Sequence, residues 1–350
     1  MSQPDNVYQH MEIPQAIYYG NSILGISVNS LVFLIIQRYS RPEIGSYKYL
    51  LLCFAAHGIF SCTINIILLP GLYNWKSAFG LFATSFIRNA PYFVQTSICL
   101  FPASYFSSIF LLMVHFIYRY FAVIREDMLK WFKYPYGLIW AVAFIVYCFD
   151  FCITMMAFFQ PDQENKEYVR SYFMENYGVN VDHVYIAVGR YFDNTPGGVK
   201  IRWGHIIRII NLAFIDIIVM VTICVIFWKL YQALKSLESI TSKCVNRLQI
   251  QFFRVLAIQT TIPFVTGFLP VIVYYVLPML GLEIGTYASV ISVMMSFQPL
   301  LNGCTTLIVV TDYRKAVRRI IFNFMRIQDG NVNRVEPNPT SFIPKPTASS

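Results

Sequence analysis

Asp150 and Asp216 stand where a carboxylate is expensive. Both fall inside long apolar stretches, where an acid is tolerated if it pairs, faces a cavity or takes part in function. Asp216 lies near the middle of its stretch, with Arg208 two helical turns away as a distant potential partner. A third group of interest is Arg119, set between Tyr118 and Tyr120 in His115-Phe116-Ile117-Tyr118-Arg119-Tyr120-Phe121-Ala122 at the end of another apolar stretch. Such an arginine either snorkels to lipid headgroups or serves as a polar latch between two arrangements of the chain. Bond-making chemistry has little support. The five histidines (10, 57, 115, 183 and 205) are scattered, and there is no metal-ligand spacing, Gly-rich phosphate loop or nucleophile elbow. No cofactor and no metal are expected.

The elements that must position these groups are membrane helices. The chain has 350 residues, 56% hydrophobic and only 13% charged, about half the charge of a soluble domain. A spanning helix needs about 20 mostly apolar residues. Seven segments qualify: Ala16–Ile36, which reads as a retained signal anchor, then Tyr49–Pro70, Tyr92–Phe116, Tyr136–Phe159, Ile206–Trp228, Val255–Leu277 and Tyr287–Val310. In lipid each must satisfy its own backbone, so each is expected to be helical. The fold class is an all-α membrane protein, a seven-transmembrane helix bundle over residues 16–310. It is preceded by a short segment, 1–15, and interrupted by a long loop, 160–204, suited to be a lid.

Charge gives the bundle a direction. Nineteen of the 27 Lys and Arg residues fall on one side, in three connecting segments and the C-terminal region. Positive charge stays cytoplasmic, so the N-terminus is expected outside and the C-terminus inside. This asymmetry explains the net charge of +9 without any nucleic-acid partner. Residues 311–326 carry Tyr313, Val317, Ile320, Ile321 and Phe324 at helical spacing, with Arg314, Lys315, Arg318 and Arg319 between them. That pattern suits an amphipathic helix on the inner membrane surface. Residues 327–350 are polar and proline-bearing and are expected to be disordered. Seven of the eight cysteines lie in apolar segments, so free, mostly buried thiols are expected rather than disulfides. Pro263, Pro270 and Pro299 predict kinks in the sixth and seventh spans.

Four motifs in order carry a resemblance. They are Ile44-Gly45-Ser46-Tyr47-Lys48-Tyr49-Leu50; the His115–Ala122 segment; Leu248-Gln249-Ile250-Gln251-Phe252-Phe253-Arg254 running into Ile258-Gln259-Thr260-Thr261-Ile262-Pro263; and Asp312-Tyr313-Arg314. From about Gly20 to Phe324 the chain resembles the nematode serpentine chemoreceptors of the Str class, the group that includes the diacetyl odorant receptor. The resemblance implies a G-protein-coupled chemosensory receptor in the plasma membrane of sensory neurons, extending to their cilia. Its partners would be a small-molecule odorant or pheromone-like ligand, a heterotrimeric G protein and the lipid bilayer. Tyr118-Arg119-Tyr120 takes the place of the acidic-Arg-Tyr signature of rhodopsin-like receptors, and no acid precedes Arg119. In the last span, Phe297-Gln298-Pro299-Leu300-Leu301-Asn302 keeps the proline but departs from the family's usual Tyr-Pro.

Two residue sets follow as expectations. The ligand wall is expected to include Tyr92, Gln95 and Thr96, then Asn211 and Asp216, then Tyr274 and Tyr287. The coupling surface and switch are expected to include Tyr118, Arg119, Tyr120, Lys243, Arg247 and Arg254, with Pro263 and Pro299 as kinks. The alternative to a receptor is a transporter or ligand-gated channel. That reading calls for a polar stripe through several spans, and the spans hold only two acids well inside.

Overall fold

The computed structural model describes residues 11–40, 44–158, 162–237 and 243–332. Among these residues, seven helical stretches are long and apolar enough to cross a bilayer. They are α1 (Glu12–Tyr39), α2 (Tyr47–Leu68), α3 (Pro91–Ile124), α4 (Leu138–Phe158), α6 (Trp203–Leu237), the pair α7 (Lys243–Pro263) and α8 (Leu269–Met279), and α9 (Ala288–Val309). A shorter helix, α5 (Gln163–Tyr177), lies between α4 and α6, and α10 (Thr311–Val332) follows α9. The helix cores match the expected spans, but several ends run further. Helix α3 starts at Pro91, where a proline suits the first turn, and passes eight residues beyond Phe116. Helix α10 runs to Val332, six residues into the segment expected to be disordered. Residues 333–350 lie outside the described part.

Helix α3 is the axis of the bundle. It packs on α2, α4, α6 and α7, and its small residues Ser97, Ala103, Ser104, Ser107 and Ser108 are all buried. Small side chains let neighbouring backbones come close where no water drives association. Helices α4 and α6 sit at the rim. Ile139, Val142, Ile145 and Phe149 of α4, and Ile207, Ile210, Phe214 and Val221 of α6, are exposed. Such apolar belts suit a hydrocarbon solvent. The cysteines follow the same logic. All seven described ones are free, but Cys53 and Cys224 are exposed and only Cys62 and Cys99 are buried. The expectation of mostly buried thiols therefore fails, because an apolar segment can turn its cysteine outward.

One end of the bundle carries a cap that the hydrophobic pattern did not lead us to expect. Strands β1 (Pro70–Trp75), β2 (Ala78–Ala83) and β3 (Ile186–Arg190) form an antiparallel sheet in the order β1-β2-β3. A smaller hairpin pairs β4 (Phe192–Thr195) with β5 (Gly198–Ile201). Every residue of β2 and β3 is buried. With both faces covered, the strands show no polar alternation. Helix α5 packs Val169, Tyr172, Phe173 and Tyr177 with Tyr73 and Phe82 of the sheet. The expected long loop is thus a folded unit. Arg190, itself buried, sits 2.5 Å from Glu164 and 2.9 Å from Asp193, and Arg202 binds Asp193 at 2.7 Å. Nearby, hydrogen bonding from Arg170 holds the Asp182 carboxyl below its ordinary value.

Gly80 shows how tightly the sheet is built. A Cβ there would meet the Ala187 carbonyl oxygen at 1.8 Å. That carbonyl accepts from the Tyr73 hydroxyl at 3.1 Å, and the Gly80 carbonyl accepts from Tyr274 of α8 at 2.8 Å. Gly80→Ala is expected to destabilise the protein by about 2–3 kcal/mol through overpacking. Gly197→Ala, whose added carbon meets nothing within 4 Å, should be near neutral. Thermal unfolding of the detergent-solubilised variants checks both.

Candidate functional site

The buried residues of α6 include Asp216, Val219, Ile223, Leu230 and Leu234, a helical stripe facing α3. Asp216 is the stripe's acid and is only 8% exposed. Oδ1 of Asp216 accepts a hydrogen bond from the Tyr147 hydroxyl of α4 at 2.5 Å. Tyr147 stands with Phe151 and Met155 on the inward face of α4, at i, i+4 and i+8. Leaving a buried acceptor unpaired costs more than the bond yields. This contact fixes α4 against α6.

Asp216 lines a cavity of about 260 Å³. The remaining wall comes from Phe106 and Phe151, from Ile209, Leu212, Ala213 and Ile217 of α6, and from Phe268, Val271, Ile272, Tyr275, Val276 and Met279 around α8. The wall side chains are apolar apart from the Asp216 carboxyl and the Tyr275 hydroxyl. Such a site can hold a small, mostly apolar molecule and orient it through one polar group.

The position of the α8 wall is set below the cavity. Between α7 and α8 the chain makes a π-helical turn, Phe264–Phe268, directly after Pro263. Tyr105 of α3 donates to the Pro263 carbonyl at 2.7 Å, so a carbonyl at the junction finds its partner on the neighbouring helix. A Cβ on Gly267 would lie 1.9 Å from the Tyr105 hydroxyl oxygen. The junction closes only because residue 267 has no side chain. In α9, the Pro299 carbonyl accepts from Asn29 at 3.0 Å, and Gln298 donates to Ser108 of α3. Gln259 of α7 reaches the Asn302 carbonyl at 3.1 Å and the Thr306 hydroxyl at 3.0 Å.

The second site lies at the end of α3 away from the sheet. Arg119 is 6% exposed. Its Nη1 donates to Gln249 Oε1 at 2.7 Å. The guanidinium carbon lies 3.8 Å from the Tyr47 ring centre and 4.1 Å from that of Phe252. Among the described residues, Nε and Nη2 are buried without an acceptor, and none of these contacts is a carboxylate. Tyr47 also bonds His115 Nδ1 at 3.0 Å and packs on Tyr118. Tyr313 of α10 is buried beside them and shares a 3.0 Å hydrogen bond with Ser40. The arginine thus ties α2, α3 and α7 together.

The structure places the expected residues unevenly. Of the ligand-wall set, Asp216 alone lines the cavity. Tyr274 is buried, but its hydroxyl donates to the Tyr73 and Gly80 carbonyls and secures the sheet. Its neighbour Tyr275 faces the cavity instead. Asn211 is exposed, since five residues of helix turn it about 140° from Asp216. Tyr92 and Thr96 are exposed and Gln95 is half-buried, at the start of α3. Tyr287 is exposed and lines a separate surface groove with Trp75, Tyr172 and Glu283. Arg208 does not meet Asp216; it donates to the Ala157 carbonyl at 2.6 Å. In the coupling set, Tyr118 and Arg119 are in the buried cluster, Tyr120 is half-buried and Arg254 is exposed. The side chains of Lys243 and Arg247 lie outside the described residues. Tyr147, Tyr105, Phe106 and Gln249 were missed as functional candidates.

Removing the Tyr147 hydroxyl tests the α4–α6 contact. Tyr147→Phe leaves the Asp216 oxygen unpaired and is expected to cost about 1–3 kcal/mol of stability. In an Asp216→Leu background, where no acceptor is stranded, the same change should cost much less. Equal losses in the two backgrounds contradict the contact.

The comparisons with known proteins accord with this architecture. The model of the family described as serpentine type 7TM GPCR chemoreceptor Str matches residues 15–318. The chain is 28% identical over 297 residues to the Caenorhabditis elegans protein named G-protein coupled receptor str-33, covering 83% of this chain and 86% of that one. It is 24% identical over 314 residues to serpentine receptor class r-10 of the same organism, covering 87% and 89%. It is also 24% identical to serpentine receptor class J-38, over 73% of this chain and 77% of that protein. With seven candidate spans and a family match over most of its length, the chain belongs to the Str class of nematode seven-transmembrane G-protein-coupled chemoreceptors.

Proposed function

We propose that the agonist of this receptor is a small, weakly polar odorant or pheromone-like molecule that binds in the Asp216 cavity. The sheet-bearing end then faces outside and the Arg119 end faces the cytoplasm, in keeping with the excess of Lys and Arg in the segments at that end. The heterotrimeric G protein docks at the Arg119 end, in the plasma membrane of sensory neurons and their cilia. Arg314, Lys315, Arg318 and Arg319 of α10 are exposed and suit contact with anionic lipid, which lays α10 along the inner membrane surface.

The observation that carries this reading is that one helix serves both sites. Phe106 of α3 lines the cavity and Arg119 of α3 sits in the latch, about 20 Å apart along the helix axis. Tyr105 links the same helix to the α7–α8 junction. An agonist that prefers one arrangement of α3 against α8 shifts the population of that arrangement, and the latch shifts with it. The two orphan nitrogens of Arg119 add a reason for a partner. An incoming acceptor satisfies a donor that the closed bundle leaves unpaired.

Three variants test the reading at matched surface expression, read through second messenger. Gln249→Leu removes the acceptor of Arg119 and is expected to raise basal signalling about tenfold, the effect of about 1.4 kcal/mol on a two-state balance. Arg119→Ala should abolish agonist-evoked signalling, and unchanged signalling contradicts the latch. Asp216→Asn should shift agonist potency, and unchanged potency moves the ligand elsewhere.

A further inference from the structure

The Asp216 cavity has a closed end and an open side. Its sheet-bearing end is filled. Phe79 of β2 is fully buried and packs 5.0 Å from Tyr191 and edge-on to Tyr274 and Tyr275, at 5.8 and 5.3 Å between ring centres. Tyr275 is itself a wall of the cavity, so Phe79 stands over it. The plug is tied down by the Tyr274 hydroxyl and by Ser289, which donates to the Leu72 carbonyl at 2.8 Å. Among the described residues of the wall, only Asp216 and Tyr275 carry side-chain oxygen.

The side between α6 and α8 differs. Helix α6 packs along α3 and little packing joins it to α8. Ala213 and Ile217 of α6, and Ile272, Val276 and Met279 of α8, line the cavity and are also exposed on the flank of the bundle. These rim side chains are all apolar, and in a membrane they face acyl chains. The bilayer core holds no water to enter by that side.

We propose that the cavity is loaded from the bilayer, through the gap between α6 and α8, by an uncharged and mostly hydrocarbon ligand bearing one hydrogen-bonding group. The inference rests on the cavity being the ligand site; the opening itself does not. Membrane partition then does the first part of recognition. Each added methylene favours the bilayer by about 0.8 kcal/mol, roughly a fourfold rise in local concentration. A charged ligand is excluded at this step, because a charge is costly in the hydrocarbon region. The Asp216 carboxyl and Tyr275 hydroxyl then select among uncharged molecules by their single polar group.

The route can be read without an agonist. Phe106→Trp places an indole on the inner wall, and Leu212→Trp supplies a second position should the first variant fail to fold. Each full-length variant is reconstituted in nanodiscs of phosphatidylcholine, with or without bromine on the acyl chains. Emission from the unsubstituted protein is subtracted to remove the five native tryptophans. The proposal expects loss of the introduced tryptophan's emission in brominated lipid and no loss with iodide in the aqueous phase. Adding Ala213→Phe, which narrows the gap, should restore the emission in brominated lipid. Quenching by iodide overturns the proposal in favour of a water-side entry. Absence of quenching by brominated lipid at both positions overturns it too. Either result leaves the ligand-site reading to be judged by agonist potency in Asp216→Asn, so the two failures are distinguishable.

Discussion

Helix α3 is buried along nearly its whole length, so each polar group on it must find a partner inside the protein. That requirement organises the bundle. Tyr105 pairs with the carbonyl at the α7–α8 junction, Ser107 with His57 of α2, Ser108 with Gln298 of α9, His115 with Tyr47 and Arg119 with Gln249. In a membrane there is little hydrophobic force between helices. Close packing of small residues and these interhelical hydrogen bonds must take its place. Helices α4 and α6 lie at the rim and are joined by Tyr147 to Asp216 and by Arg208 to the Ala157 carbonyl.

Arg119 is the weak point in this scheme. Removing a guanidinium from water costs several kcal/mol. Two aromatic faces return about 0.5–2 kcal/mol each, and one amide oxygen adds a charge-assisted bond. Two of its nitrogens lack acceptors among the described residues. A carboxylate in place of Gln249 would hold the arrangement more firmly. With an amide there, the proposed latch is held by one charge-assisted bond and two ring faces. The α7–α8 junction has the opposite character: Gly267 and Tyr105 fit so closely that movement of α8 must carry Tyr105 or break its bond.

The seven spans were legible because hydrocarbon thickness sets helix length, and apolar runs of that length have no other use. The departures have physical causes. Strands β2 and β3 are buried on both faces and so lack the alternation that marks a half-exposed strand. At the sites, residue type was visible and helix phase was not. Asp216 and Arg119 stood out because charge in an apolar segment is rare. Tyr274 and Tyr275 differ by one position, and only packing decides that the first secures the sheet while the second lines the cavity. Tyr147 carries no charge and looked like any aromatic in a span. Gly267 gives no signal at all until Tyr105 is placed against it.

The central claim is that the cavity and the Arg119 end are energetically coupled through α3 and its contact with the α7–α8 junction. Coupling between two binding sites is reciprocal, so it can be measured from either side. The direct measurement is the affinity of an agonist, found by second-messenger screening, for the receptor in nanodiscs with and without nucleotide-free G protein. The account predicts tighter agonist binding when the G protein is present, and loss of that difference in Gly267→Ala, where the Tyr105 contact cannot form. An agonist affinity that the G protein leaves unchanged in the native receptor would contradict it.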